Sequence, residues 1–258
     1  MKIIVLMKQV ANKDAVLRIG PDEKWINEAD VSQQTNESDG YALEEALRMK
    51  EAKGDGEVIV CTLGPQSAKT VIKDALARGA DRAIHVIHDQ PNKLSAYQIA
   101  KAIGDAIREE NADLVFTGLQ SDDASYGQTG VVLAELLGIP HATIVIEVDR
   151  TSLNGGLRVK RELESGWYQW FTYQLPALLT IQSGISQIRY ASLKGIMAAK
   201  KKEIREVTAN VDAFVSAATV ERVYMPLKTK QTQMLGNGDA KAGAAELVEK
   251  LKNEVRVL

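Results

Sequence analysis

Residues 57–88 read EVIVCTLGPQSAKTVIKDALARGADRAIHVIH. A run rich in Val and Ile, Glu57–Thr62, meets the tight turn Leu63-Gly64-Pro65. A segment with apolar residues three and four apart follows, at Ala68, Val71, Ile72, Ala75 and Leu76. A second Val/Ile run, Arg82–His88, closes the unit. A strand, a helical period and a strand again form the repeating unit of a parallel sheet. The alternation extends in both directions. Lys2–Lys8, Asp113–Gly118 and Thr143–Val148 read as further strands. Three more helical stripes lie between them: Leu43, Ala46 and Leu47; Ile99, Ala100, Ile103, Ala106 and Ile107; and Val131, Val132 and Glu135–Leu137. Several of these strands are near-continuous apolar runs, as strands buried on both faces are. The expected fold is therefore α/β, a three-layer sandwich with a mostly parallel sheet and ligands at the carboxyl ends of its strands.

The pattern changes after Asp149. Leu157–Leu163 and Trp167–Leu175 flank a Glu-Ser-Gly turn and read as an added antiparallel hairpin, and Pro176 opens another apolar run, Ala177–Gln182. From Ile188 the chain turns polar and basic, with Lys200, Lys201 and Lys202 in a row. Residues 208–239 show no sustained period, and Gly236-Asn237-Gly238-Asp239 is a loop. Ala240–Val255 reads as a last helix with Ala244, Leu247, Val248 and Leu251 on one stripe. Two parts are expected: an α/β domain over 1–207 and a C-terminal arm over 208–258, suited to packing on another subunit.

Over 258 residues, Lys plus Arg total 32 and Asp plus Glu 34. A net charge of −2 argues against a nucleic-acid binder acting through a basic field. No apolar run approaches the roughly 20 residues that span a bilayer, and the apolar start is too short for a signal peptide. Cys61 is the single cysteine and the three histidines, His85, His88 and His141, are scattered, so neither a disulfide nor a zinc site is indicated. The expected setting is soluble and cytoplasmic.

Three stretches at strand ends are candidates for a ligand crevice. Gly118–Gly130 follows a strand and precedes a helix, where backbone N–H groups favour a phosphate, and Ser125, Gln128 and Thr129 offer further donors. It matches neither the Walker loop nor GxGxxG, and a helix cap in a long loop accounts for it equally well. Asp122 and Asp123 suit a phosphate only if they turn away or contact backbone or ribose hydroxyls. Asn36–Asp39 precedes the helix carrying Glu44 and Glu45 and reads first as an N-cap. Gly64 would let a ligand approach the backbone. Catalytic motifs are absent: Cys61 sits within an apolar run, His85 and His88 read as structural or solvent-facing, and Trp167 and Trp170 as packing residues. The chain reads as a binding protein without its own substrate turnover.

An ordered set of motifs resembles the β subunit of electron-transfer flavoproteins. It comprises Val5-Leu-Met-Lys-Gln-Val10, Asn36-Glu-Ser-Asp-Gly-Tyr-Ala-Leu-Glu-Glu-Ala-Leu47, Leu63-Gly-Pro65, Gly79-Ala-Asp-Arg82 and Gly118–Gly130. Val159-Lys-Arg-Glu-Leu163, Leu175-Pro-Ala-Leu-Leu-Thr180 and Arg189-Tyr-Ala-Ser-Leu-Lys-Gly-Ile-Met197 complete it. The resemblance implies a Rossmann-like sheet of the adenine nucleotide α-hydrolase type and a heterodimer whose α subunit carries most contacts to FAD. It implies one-electron transfer from flavin dehydrogenases, such as acyl-CoA dehydrogenases, towards a membrane quinone oxidoreductase. It also implies a structural AMP in this subunit. Its pocket would use Leu6, Asn36, Glu37, Ser38, Asp39, Leu63, Thr117, Gly118, Leu119, Gln120, Ser121, Asp122, Asp123, Ala124, Ser125, Tyr126, Gly127 and Gln128. Family members often place an aromatic near the flavin at the positions of Lys13 and Ser38, and this chain has none there. Tyr190–Lys202 matches the partner-recognition loop, with Leu193 as the anchor and the Lys200–Lys202 run, Lys201 within it, as a steering charge. The alternatives are a bifurcating relative with a second FAD in place of AMP, and an adenine-nucleotide hydrolase or universal-stress relative.

Overall fold

The computed structural model describes residues 1–150, 156–211, 219–227 and 232–257. The expectations for 208–239 and for the arm lie partly outside them. The α/β part starts with β1 (Lys2–Leu6), followed by the short β2 (Gln9–Ala11) and β3 (Gln33–Thr35). Then come α1 (Glu37–Lys53), β4 (Glu57–Gly64), α2 (Lys69–Arg78), β5 (Arg82–Ile87), α3 (Ala96–Ile107), β6 (Leu114–Gly118), α4 (Thr129–Leu137) and β7 (His141–Asp149). The hairpin β8 (Leu157–Glu162) and β9 (Tyr168–Tyr173) precedes β10 (Ala177–Ile181), α5 (Leu193–Ala199) and β11 (Ile204–Thr208).

Nine strands form one sheet in the order β11-β5-β4-β1-β6-β10-β7-β8-β9, parallel from β11 to β7 and antiparallel at the β7–β8–β9 end; β2 and β3 form a separate antiparallel pair. This is the expected α/β three-layer fold with its added hairpin. The run Ala177–Gln182 becomes a central strand, inserted between β6 and β7. Successive residues of each central strand enter opposite layers. Ile3, Val5, Val58, Val60, Leu114 and Phe116 pack with α1 and α2, whereas Ile4, Leu6, Ile59, Cys61, Leu63 and Val115 pack with α3 and α4. Strands apolar on both faces need two helical layers, and this alternation supplies them.

The winding fixes where a ligand sits. From β1 the chain moves through β4 to β5 on one side, then crosses back to β6 on the other side of β1. Strand order therefore reverses between β1 and β6, and the crevice of such a sheet lies beyond the carboxyl ends at that reversal. Three strands were not expected from the sequence. β2, β3 and β11 are short and polar or only half-buried, so their pairing leaves little trace in hydropathy.

Helix α1 also anchors peripheral chain. Glu45, fully buried, takes both Arg150 bonds, at 2.9 and 2.6 Å; Glu44 receives Arg189 Nε at 2.8 Å and Arg48 Nε at 2.6 Å. Burial pulls the Glu44 carboxyl upward, but the guanidinium bonds from Arg189 and Arg48 outweigh it and hold the group below the usual carboxylate range. Compactness divides the chain into Met1–Arg222 and Val223–Leu258. The second unit carries α6 (Ala240–Lys250), continued by a π-turn over Leu251–Val255, and Leu247, Val248 and Val255 are exposed on it.

Two surface expectations are corrected. Trp167 is 72% exposed and does not pack, whereas Trp170 lies under Arg158, 4.4 Å from its ring centre. The steering run is not three free lysines: Lys202 Nζ donates to Leu76 O at 2.9 Å and Ala80 O at 2.5 Å, satisfying carbonyls at the end of α2.

Candidate functional site

A cavity of about 200 Å³ opens at the reversal point. Leu6 and Met7 close it from the end of β1, Leu63 from β4, and Thr117 and Gly118 from β6. Leu94, Ile99 and Ile103 give it an apolar wall on the α3 side, and residues of the 118–130 loop line it as well. Of the residues named from the sequence, Leu6, Asn36, Asp39, Leu63, Thr117, Gly118, Leu119, Gln120, Ser121, Asp123, Ala124, Tyr126, Gly127 and Gln128 line the cavity. Glu37, Ser38, Asp122 and Ser125 are not among its lining residues. Lys8, Trp25 and Glu28 line it too and were not anticipated. In the sequence Lys8 only closes an apolar run and sits within the Val5–Val10 motif.

Asn36 occupies the N-cap position of α1, but its side chain does not cap the helix. Instead Nδ2 donates to Gln120 O at 2.9 Å and Oδ1 accepts from Asp122 N–H at 2.8 Å; Ser38 Oγ donates to Gln120 O at 2.8 Å. The capping explanation for Asn36–Asp39 is therefore replaced by a tertiary one: the start of α1 holds the loop. Ser38 is buried in that contact and Lys13 is exposed. Asp39 bridges two strand ends, accepting Lys8 N–H at 2.7 Å and Gly118 N–H at 2.9 Å. Burial pushes its carboxyl up to about 7, against the lowering effect of the Lys8, Asn36 and Gly118 hydrogen bonds.

The loop's two carboxylates are accounted for. Asp122 accepts Glu37 N–H at 3.1 Å, at the positive end of α1, and Asp123 accepts Lys8 Nζ at 2.6 Å. Both therefore have protein partners, as do the amides of Leu119, Asp122, Ala124 and Ser125 within the loop. Gly127 takes φ 60°, a left-handed conformation natural for glycine, as the loop turns into α4. The first amides of α4 have no acceptor within the helix and point the helix dipole at the crevice. Gly130 is required there, since a Cβ would stand 2.8 Å from Thr117 Oγ1. Ser125 is no ligand donor in this arrangement: its Oγ donates to Ser121 O at 3.1 Å.

Gly64 does not admit a ligand. A Cβ there would meet Ala68 Cβ at 3.1 Å, so the residue serves the approach of the chain entering α2. His85 is buried with Nε2 3.1 Å from Gly64 O, and Cys61 is a buried thiol pushed up to about 12, which keeps it protonated and inert. Among the described residues no His, Cys, Asp and Glu group could hold a metal, and no helix is long and apolar enough to cross a membrane.

A cavity set beyond the strand ends at the reversal of a parallel sheet places the chain among doubly wound, Rossmann-like α/β proteins. The family model of the electron transfer flavoprotein domain matches residues 24–212. The electron transfer flavoprotein β subunit of Methylophilus methylotrophus is 36% identical over 245 residues, covering 92% of this chain and 93% of its own length. The mitochondrial β subunit of Oryza sativa subsp. indica is 37% identical over 263 residues, with both chains covered in full. That of Mus musculus is 35% identical over 229 residues, 86% of this chain and 88% of its own. The chain belongs to the electron transfer flavoprotein family, and the role that goes with the family is electron transport.

Proposed function

We propose that the chain is the β subunit of a heterodimeric electron carrier and holds one AMP in the cavity between β1, β4 and β6. The observation that carries this reading is the cavity's mixed lining: hydrocarbon from Leu94, Ile99 and Ile103 together with the 118–130 loop and the start of α4. The first suits a purine face and the second a phosphate. In this role AMP performs no chemistry; it fills the crevice and ties β1 to the 118–130 loop. A ligand bound only by the native state adds about 3–4 kcal/mol at 100–1,000 times its Kd.

The redox group is FAD, shared with and mostly bound by the α subunit, and it supplies one-electron transfer. The buried Ser38 and exposed Lys13 leave no aromatic on this chain at the two positions where relatives often set one beside the flavin. Flavin dehydrogenases deliver electrons at the Leu193 surface, and a quinone oxidoreductase or other acceptor removes them. The exposed apolar stripe of α6 fits against the α subunit. The test is the visible spectrum of the chain produced alone and together with its α partner. Alone it is expected to be colourless; the pair is expected to be yellow. A flavin spectrum from this chain by itself would overturn the division of cofactors.

A further inference from the structure

The charges around the cavity are unequal. Three lining residues carry carboxyl groups, Glu28, Asp39 and Asp123, and among the described residues Lys8 is the one lining cation. Each carboxyl group already has a partner in the protein. Trp25 Nε1 donates to Glu28 Oε1 at 2.8 Å, the Lys8 and Gly118 amides donate to Asp39, and Lys8 Nζ donates to Asp123 Oδ1 at 2.6 Å. Lys8 leaves the end of β1 from a fixed point. Leu6 and Met7 before it are buried, and Asp39 holds its backbone N–H at 2.7 Å. From there its side chain reaches two lining residues of the 118–130 loop, Asp123 and Ser121, with Ser121 Oγ at 3.3 Å. An ammonium carries three N–H donors and no acceptor, so these two bonds leave one donor for a ligand.

We propose that Lys8 is the cation that binds the nucleotide's phosphate, and that it decides between a nucleoside monophosphate and the bare nucleoside. The inference rests on the AMP reading above. A phosphate monoester brings a charge of about −1.5 to −2 at pH 7. Carboxylates in the lining repel it, and the partly enclosed setting strengthens every such term. A charge-assisted bond from an ammonium is the direct counterweight, and lysine meets phosphate well as a point charge. Asp123 then has two opposed effects. It holds the Lys8 ammonium at the loop, and its own charge competes with the phosphate for that ammonium. The hydrocarbon lining is indifferent to this contest, so a nucleoside without phosphate does not feel it.

The test is equilibrium binding of radiolabelled AMP and, separately, radiolabelled adenosine to the intact heterodimer. Lys8→Met keeps the side-chain stem and the backbone N–H that Asp39 holds. It is expected to weaken AMP roughly 10- to 100-fold, the span of one lost charge-assisted hydrogen bond, and to leave adenosine within about twofold. Lys8→Arg is expected to restore most of the AMP affinity. Asp123→Asn keeps an oxygen for the ammonium and removes the competing charge, so it is expected to act in the opposite direction and tighten AMP several-fold. Unchanged AMP binding in Lys8→Met, or equal losses of AMP and adenosine, would overturn the role of Lys8 while leaving the nucleotide site in place. Weaker AMP binding in Asp123→Asn would overturn the competition. A wild-type heterodimer that binds neither ligand would overturn the site and the role of Lys8 together. Should Lys8→Met not fold, the sign of the Asp123→Asn effect still decides.

Discussion

Asp39→Ala is expected to lower the stability of the chain by about 2–4 kcal/mol and to strip it of nucleotide. The carboxylate joins the end of β1 to the end of β6, through Lys8 N–H at 2.7 Å and Gly118 N–H at 2.9 Å. Removing it orphans two largely enclosed amides, each costing about 1–3 kcal/mol, with part of that offset by relief of a buried carboxyl. The loop that follows Gly118 then loses its fixed starting point, and Asn36 and Ser38 alone hold it at Gln120. Thermal unfolding and nucleotide content of wild-type and variant check both effects. An unchanged melting temperature would show that the bridge carries no strain-bearing role between the strands.

The same residue gives a pH signature whose sign follows from its elevated pKa. The folded carboxyl stands at about 7 because it is buried, while an unfolded aspartate titrates near 3.9. Between about pH 4 and 7 the native chain keeps a proton that the unfolded chain releases. This contribution is complete below about pH 4 and is lost as pH rises through 7, at no more than about 1.4 kcal/mol per unit. Asp39→Asn is expected to flatten that limb of the stability curve.

Leu193→Ala is expected to weaken docking of the electron-donating dehydrogenase roughly 10- to 100-fold while leaving the fold untouched. Leu193 is 84% exposed, beside Tyr190 at 95% and Met197 at 64%, a patch with no core to support. Its frame is nonetheless fixed. Ser192 Oγ accepts Gly195 N–H at 3.0 Å, Gly195 lies so close to Ala77 O that no Cβ fits, and Arg189 is pinned to Glu44. The leucine is thus presented from a rigid base, and burying it in a partner is worth about 1.5–3 kcal/mol. Charge reversal at exposed Lys201 is expected to act on the association rate instead and to fade with salt. Electron transfer from a cognate dehydrogenase, titrated with each heterodimer, reads both. Equal apparent affinities for wild-type and Leu193→Ala would remove Leu193 from the docking surface.

The parallel sheet was legible because β1, β4, β5, β6 and β10 are apolar on both faces, and hydropathy reports burial directly. Strand ends then located the crevice without any contact being known. What escaped was whatever depends on residues far apart in the chain. Asn36 matched a local capping pattern, yet its partners lie more than 80 residues away at Gln120 and Asp122. Lys8 looked like the end of a strand, and only the folded chain brings it to Asp123. Trp25 belongs to a ribbon with a single bridge, too short to show a period. Gly64 misled in the other direction: glycine at a turn suggests room, and Ala68 fills it.

The central claim is that this chain closes its crevice on a mononucleotide and leaves the flavin to its partner. The most direct measurement is to denature the purified chain and the purified heterodimer, and to separate and quantify what each releases. The account predicts one AMP per chain from both preparations and one FAD from the heterodimer only. Stoichiometric FAD from this chain alone, or no nucleotide from either preparation, would contradict it.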